Sequence, residues 1–122
     1  MIIDIEKDED FIRLTDFLFS FDFEGKDIIR NQIKTGIVKK EKSEYAIVFY
    51  FYVHTLQKRL PATYDKYTNP VTIEVKSGSD VTECELFVKH GFIFEYRLYN
   101  ITNTKLNMES FWQGTPYYEK LV

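Results

Sequence analysis

Four glutamates are the side chains whose type and spacing come nearest to acid–base chemistry in this sequence. They lie in segments that alternate apolar and polar residues, and they are Glu74, Glu83, Glu85 and Glu95. Two carboxyl groups held close together can serve as a general acid and a general base. A flat sheet face does not exclude water from such a pair, so we assign no catalytic residue. The pattern favours a protein that is not an enzyme.

Cysteine and histidine add little reactive chemistry. Cys84 is the single cysteine, which excludes an internal disulfide and a zinc site built from cysteines. Its position on an apolar strand face predicts a buried, inert thiol. His54 ends a strand and His90 lies in a turn, and neither belongs to a catalytic motif. No loop has the ligand spacing of a calcium or magnesium site, so we expect neither a metal nor a cofactor.

A three-strand antiparallel meander after Pro70 is expected to position the glutamates. Its strands are predicted by apolar and polar residues that alternate with a period of two, over 71–76, 83–89 and 92–99. A two-residue turn of type II′ at Gly78-Ser79 joins the first two strands, because glycine suits the first position of that turn. This turn places Glu74 opposite Glu83.

The second turn of the meander admits two registers. A two-residue loop at His90-Gly91 would place Leu86 opposite Glu95, whereas a three-residue loop with Gly91 in the left-handed region places Leu86 opposite Phe94. A slip of one residue moves every side chain to the other face of the sheet. Because one face must be apolar, the sequence favours the three-residue loop.

This register defines a polar outer face with an apolar centre. Its predicted members form the candidate partner-binding site, and they are Glu74, Glu83, Glu85, Phe87, Ile93, Glu95, Arg97 and Tyr99. Glu74 is expected opposite Glu83, and Glu85 opposite Glu95, although like charges in such positions reduce stability. The face is therefore either ordinary solvated surface or a docking surface for a basic protein, in which charge steers association and apolar anchors hold the complex.

The N-terminal part of the chain is predicted to be helical. Apolar residues at helical spacing predict one helix over 9–21, and Gly25 and Gly36 bracket a second over 26–34. The expected fold is α+β, with an N-terminal helix or two packed on a four- to five-strand antiparallel sheet that ends in the meander. Its length predicts a single domain over residues 1–122.

The remaining segments complete this expected sheet. Tyr45–Val53 is apolar on both faces and predicts a central strand that is covered on both sides, after a charged turn over 39–44. A surface loop is expected over 55–70 and an aromatic tail over 105–122, and neither receives a role.

Composition and charge limit the compartment and the partners. A net charge of −3 argues against direct nucleic-acid binding. The longest apolar run, Tyr45–Val53, is shorter than the roughly 20 residues of a membrane helix. Acidic residues interrupt the N-terminus, where a signal peptide would be apolar. We therefore expect a cytoplasmic protein without a membrane partner.

The chain is small and acidic, with one or two predicted helices, an aromatic antiparallel sheet and a glutamate-rich face around Phe87 and Ile93. In these features it resembles the immunity proteins of bacterial polymorphic and contact-dependent-inhibition toxins. The resemblance implies a non-enzymatic inhibitor that neutralises a basic toxin domain, such as a nuclease domain. Two alternatives stay open. One is a small-ligand-binding or enzymatic domain with an aromatic pocket, and the other is an accessory protein that forms a homodimer or larger homo-oligomer through the outer face.

Overall fold

The computed structural model describes residues 1–64, 68–102 and 104–119. These residues form three α-helices, which are Glu9–Phe19 (α1), Lys26–Thr35 (α2) and Met108–Gln113 (α3). They also form six strands, which are Ile37–Lys42 (β1), Ala46–Tyr52 (β2), Thr68–Ser77 (β3), Asp80–Lys89 (β4), Phe92–Asn100 (β5) and Thr115–Glu119 (β6). The strands make one antiparallel sheet in the order β1-β2-β5-β4-β3-β6. The predicted α+β fold is confirmed, with six strands instead of four or five.

The two N-terminal helices begin where the sequence predicts them. Asp8 caps α1 by accepting a hydrogen bond of 2.9 Å from the backbone N–H of Phe11, which satisfies a donor that the helix itself leaves unpaired. The apolar stripe of α1 is buried against the sheet through Phe11, Leu14 and Leu18. All three helices contribute to this one core, so the described helices leave the opposite, outer face of the sheet uncovered. Within the described ranges, each helix is too short or too polar to cross a membrane.

Residues 39–42 of the charged segment before Tyr45 belong to β1, so the predicted turn over 39–44 is wrong for them, and residues 43–45 form the connection to β2. Lys40 lies on the helix side of β1, and its Nζ is 3.1 Å from Asp8 and 2.9 Å from Asp10 at the start of α1. These ion pairs let a lysine occupy the covered face of an edge strand. They join residues about thirty positions apart, so local sequence patterns do not reveal them.

The strand β2 is not covered on both sides as predicted. It is second from one edge of the sheet, between β1 and β5. Only alternate residues are buried, namely Ile47, Phe49 and Phe51. The apolar residues between them lie on the outer face.

The β4–β5 connection differs from the predicted three-residue loop. His90 and Gly91 have φ values of 54° and 81°, which is the conformation of a two-residue type I′ turn. A β-bulge follows, because Val88 pairs with Ile93 but Phe87 already pairs with Glu95. The extra residue restores the alternation that the two-residue turn would have reversed. The predicted left-handed conformation of Gly91 is confirmed.

The bulge changes the partners of the core residues on β4. Leu86 lies opposite Tyr96 instead of Phe94, and Cys84 lies opposite Leu98. Both Leu86 and Cys84 are nonetheless buried, as predicted. The predicted register between β3 and β4 is confirmed, with Glu74 opposite Glu83.

The predicted tail over 105–122 contains a helix and an edge strand as far as the structure describes it, and residues 120–122 lie outside the described ranges. The helix α3 buries Phe111, whose ring centre is 5.3 Å from that of Phe17 on α1. The strand β6 then pairs with β3. The predicted loop over 55–70 is shorter than expected because β3 begins at Thr68. Residues 65–67 of this loop lie outside the ranges that the structure describes.

Candidate functional site

The outer face of the sheet brings together seven of the eight predicted partner-binding residues. Residues directly opposite each other in an antiparallel pair carry their side chains on the same face. The pairings place these residues on one face of β3, β4 and β5: Glu74, Glu83, Glu85, Phe87, Glu95, Arg97 and Tyr99. Ile93 is the exception and corrects the prediction. The bulge places it opposite Val88, and it belongs to the helix-side core.

One of the two predicted like-charge pairs is present. Glu74 lies opposite Glu83, and its other neighbour across the sheet is Tyr117 on β6. The second pair is wrong, because Glu85 lies opposite Arg97 and Glu95 lies opposite Phe87. The bulge is again the cause, since it shifts β5 relative to β4 from this point onward.

An ion pair covers the apolar centre of the face. Arg97 Nη2 lies 2.6 Å from Glu95 Oε1, and the guanidinium carbon lies 5.1 Å from the centre of the Phe87 ring. Glu95 is 2% exposed and Phe87 is 7% exposed. The exposed apolar centre expected from Phe87 and Ile93 is therefore buried instead, and the half-exposed Arg97 stands above it.

A tyrosine hydroxyl joins two of the glutamates. Tyr99 Oη lies 2.7 Å from Glu83 Oε2 and 2.7 Å from Glu85 Oε1. A hydroxyl has one hydrogen, so it can donate to only one carboxylate. The second contact becomes a hydrogen bond when the other carboxyl is protonated and donates to Tyr99. Burial and the charge of Glu83 raise the pKa of Glu85, so its carboxyl keeps a proton to a higher pH than a free glutamate does.

Two further residues of this network were missed by the sequence interpretation. Asn69 Nδ2 donates to Glu85 Oε2 at 2.7 Å, which leaves Glu85 Oε1 facing Tyr99. Tyr50 lies opposite Glu95, and its pKa is raised by burial and by the charges of Glu41 and Glu95. Asn69 was missed because the predicted loop over 55–70 included it, whereas it lies on β3 beside β4. Tyr50 follows once strand order is known, because β2 lies beside β5. A single sequence gives no signal for that order.

The part of the face nearest β6 is the part open to a partner. Glu74 and Glu83 are half-buried, and Tyr117 is 64% exposed. Within the described residues, Glu74 forms no ion pair. A groove of about 370 Å³ runs beside it and is lined by Glu74, Lys76, Thr115, Pro116 and Tyr117. Its charged lining residues are one acid, Glu74, and one base, Lys76. Because Glu83 lies opposite Glu74 on the next strand, we call Glu74, Glu83 and this groove together the acidic groove.

Positive and negative side chains occupy different parts of the outer face. Three lysines lie near its margins at Lys39, Lys76 and Lys89, and the glutamates lie between them. Among the described residues, His, Cys, Asp and Glu side chains do not form a group of three that could hold a metal ion. Glu85 and Glu95 are bonded to Tyr99, Asn69 and Arg97. Of the four predicted glutamates, Glu74 and Glu83 are the two that are not buried.

Cys84 and His54 lie apart from this arrangement. Cys84 is fully buried on the helix side of the sheet, and burial raises the pKa of its thiol. This confirms the predicted buried cysteine. His54 is exposed after β2, and its Nδ1 accepts a hydrogen bond of 3.2 Å from the backbone N–H of Leu56.

Comparison with protein-family models, curated proteins and solved structures finds no match for this chain. The resemblance to immunity proteins therefore depends on the sequence pattern alone.

Proposed function

We propose that this chain is a non-enzymatic protein-binding inhibitor, an immunity protein that neutralises a basic toxin domain in the bacterial cytoplasm. The observation that carries the proposal is the pair of Glu74 and Glu83, which lie directly opposite each other with the exposed Tyr117 beside them. A sheet selected for stability alone gains nothing from this pair.

A cation from a partner would relieve the repulsion. Opposed like charges on neighbouring strands destabilise a sheet by roughly 0.2–1 kcal/mol. A lysine or arginine placed between Glu74 and Glu83 turns this cost into two favourable ion pairs. The Tyr117 ring can attract the same cation through its face. The acidic groove thus combines charge with an exposed aromatic anchor, which is typical of protein recognition.

The rest of the face holds its shape before a partner arrives. The buried Glu95 is fixed by Arg97, and Glu85 is fixed by Tyr99 and Asn69. Side chains that are already ordered lose less conformational entropy on binding. A toxin domain that binds nucleic acid must present cations for phosphates, and such a surface complements the acidic groove.

Reversing one charge of the groove tests this function. The first candidate partner is the toxin domain encoded by a neighbouring gene, and protection is measured as survival of cells that express the domain together with this chain. Glu74→Lys should slow association with the purified domain by about tenfold at low salt, because steering depends on charge. The difference should shrink near 1 M salt, where screening acts within about 3 Å.

Two further variants complete this test. Glu6→Lys makes the same charge change at an exposed site in the N-terminal segment, and it should alter the association rate by less than about twofold. Tyr117→Ala should mainly raise the dissociation rate, since it removes an anchor. Equal association rates for Glu74→Lys and Glu6→Lys would contradict the proposed docking surface.

A further inference from the structure

A second cleft lies at the other end of the outer face, beside the β4–β5 turn. Its volume is about 520 Å³, which is within the range of small-molecule sites. The side chains that matter for its chemistry are three rings and three nitrogen-bearing groups: Tyr52, Phe92, Phe94, Arg59, Lys89 and His90. None of the described residues that line it is acidic.

The two cations of the cleft lie over its rings. The guanidinium carbon of Arg59 is 5.1 Å from the centre of the Phe92 ring, and Lys89 Nζ is 5.5 Å from the centre of the Phe94 ring. Neither cation forms an ion pair with another described residue. The cleft therefore offers positive charge and aromatic surface side by side.

A buried glutamine holds the two walls of the cleft together. Gln32 on α2 is 1% exposed, and its Nε2 donates to the carbonyls of Lys58 at 2.9 Å and Gly91 at 3.0 Å. Its Oε1 accepts from the backbone N–H of Ile93 at 2.8 Å. The backbone N–H of Leu60 also donates to the Gly91 carbonyl at 2.9 Å. The loop with Arg59 and the turn with Lys89 are thus joined without any ligand.

The β-bulge contributes a ring to the same cleft. Regular alternation after a three-residue loop would bury Phe94 opposite Leu86. The bulge instead leaves Phe94 partly exposed, where it lines the cleft beside Lys89. Bulges often turn a side chain toward a functional site.

We propose that this cleft binds a small anion that carries a planar ring, of the class of a nucleoside monophosphate. The ring stacks on Tyr52, and the anionic group lies against Lys89 and Arg59, which lie over the rings of Phe94 and Phe92. Tyr52 is 57% exposed and can present its ring face to a ligand. Stacking of bases on aromatic side chains is tolerant of sequence and base identity, and cations near the phosphate add charge-assisted hydrogen bonds.

Titration with adenosine monophosphate, adenosine and inorganic phosphate tests the site. In ¹⁵N-resolved NMR spectra, adenosine monophosphate should give saturable shifts of amides in 52–55 and 89–94, with a dissociation constant below about 1 mM. Adenosine and phosphate should each bind at least about tenfold more weakly, because each lacks half of the recognised chemistry.

Matched variants separate this cleft from the rest of the surface. Arg59→Gln and Lys89→Gln should each weaken binding of adenosine monophosphate by about fivefold or more, and Tyr52→Ala should do the same by removing a ring. Lys76→Gln makes the same charge change beside the acidic groove and should alter the dissociation constant by less than about twofold. The three cation sites are exposed, so these variants should fold normally.

Three results would overturn the inference. The first is the absence of saturable shifts up to about 10 mM adenosine monophosphate. The second is equal affinity for phosphate and the nucleotide, which would mean that the ring is not recognised, or equal affinity for adenosine and the nucleotide, which would mean that the anionic group is not recognised. The third is an equal effect of Lys76→Gln and Lys89→Gln, which would indicate non-specific attraction to positive charge.

Discussion

A single hydroxyl hydrogen sets the charge at the middle of the outer face. Because Tyr99 lies 2.7 Å from both Glu83 and Glu85, the arrangement satisfies both contacts only when one carboxyl keeps its proton. The raised pKa of buried Glu85 favours this carboxyl as the one that keeps the proton. A protonated Glu85 reduces repulsion around Glu83, so the negative charge of the face is concentrated at Glu74 and Glu83, nearest the acidic groove.

Replacing Glu85 by glutamine tests this proton. The pKa of Glu85 is raised above 4.5 in the folded protein, so above about pH 4.5 the folded state binds more protons than the unfolded state. Stability then falls as pH rises from about 4.5 through the folded pKa. Glu85→Gln keeps a donor for Tyr99 and an acceptor for Asn69 but cannot ionise. Its free energy of unfolding at about pH 7 should equal or exceed that of the parent protein.

Urea unfolding at several pH values measures the effect. The loss of stability between about pH 4.5 and 7 should be smaller for Glu85→Gln than for the parent protein. Tyr99→Phe, in contrast, removes the bridging hydroxyl and should lower the free energy of unfolding by about 1–2 kcal/mol. Parallel pH profiles for Glu85→Gln and the parent chain would place the proton elsewhere.

Among the elements, the two hairpin turns of the meander differ in what surrounds their glycines. Gly78 and Gly91 both have positive φ, at 59° and 81°. A Cβ at Gly78 would have no heavy atom within 4 Å, whereas one at Gly91 would lie 3.1 Å from the Cβ of Arg59. The first turn has no neighbouring atoms near its glycine, whereas the second turn packs against the loop that carries Arg59.

This contrast predicts different costs for the same substitution. Gly78→Ala should destabilise the protein by about 1 kcal/mol, which is the cost of a left-handed conformation for an ordinary residue. Gly91→Ala should cost about 2 kcal/mol or more, because crowding against Arg59 adds to the backbone strain. Thermal or chemical unfolding of the two variants measures the difference. Equal costs would mean that the loop moves away from the turn without penalty.

The turns also explain which elements could be predicted from the sequence. Gly78-Ser79 is flanked by strict alternation, so it has one register that buries an apolar face, and that register is confirmed. Phe92, Ile93 and Phe94 are all apolar, so alternation cannot show which of them occupies the bulge. The sequence therefore predicts seven of the eight outer-face residues, but it wrongly includes Ile93 and gives the pairings on β5 incorrectly.

Elements held by distant contacts were harder to predict. The strand β1 has the charged composition of a turn, and it forms a strand because Lys40 reaches Asp8 and Asp10 on α1. The helix α3 is only six residues long, which is too short for a clear helical period. In both cases tertiary contacts outweigh the local pattern.

At the scale of the whole molecule, the C-terminal segment closes the core between α1 and β3. Phe111 packs on Phe17, and the guanidinium of Arg13 lies 4.2 Å from the centre of the Trp112 ring. The strand β6 extends the sheet beyond β3. These contacts join the first helix to the last strand, so the described elements should unfold together.

The single tryptophan provides a direct measurement of this cooperativity. Trp112 fluorescence reports the segment around α3, and far-ultraviolet circular dichroism reports mainly the sheet and the larger helices. The two denaturation curves should coincide in a single transition, as in a two-state domain. Phe111→Ala should shift both curves together, with a loss of about 3–5 kcal/mol. An earlier transition in fluorescence would show that α3 and β6 detach independently.

The hydrogen bond to Gln32 makes hydrogen exchange at the backbone amide of Ile93 depend on the position of α2. Most strand amides exchange with solvent when a neighbouring strand separates, but this amide is bound to a side chain on α2. Its exchange rate therefore reports how often the helix lifts from the sheet, even while the strands stay paired. Amide hydrogen–deuterium exchange at this one position can follow helix docking separately from sheet opening.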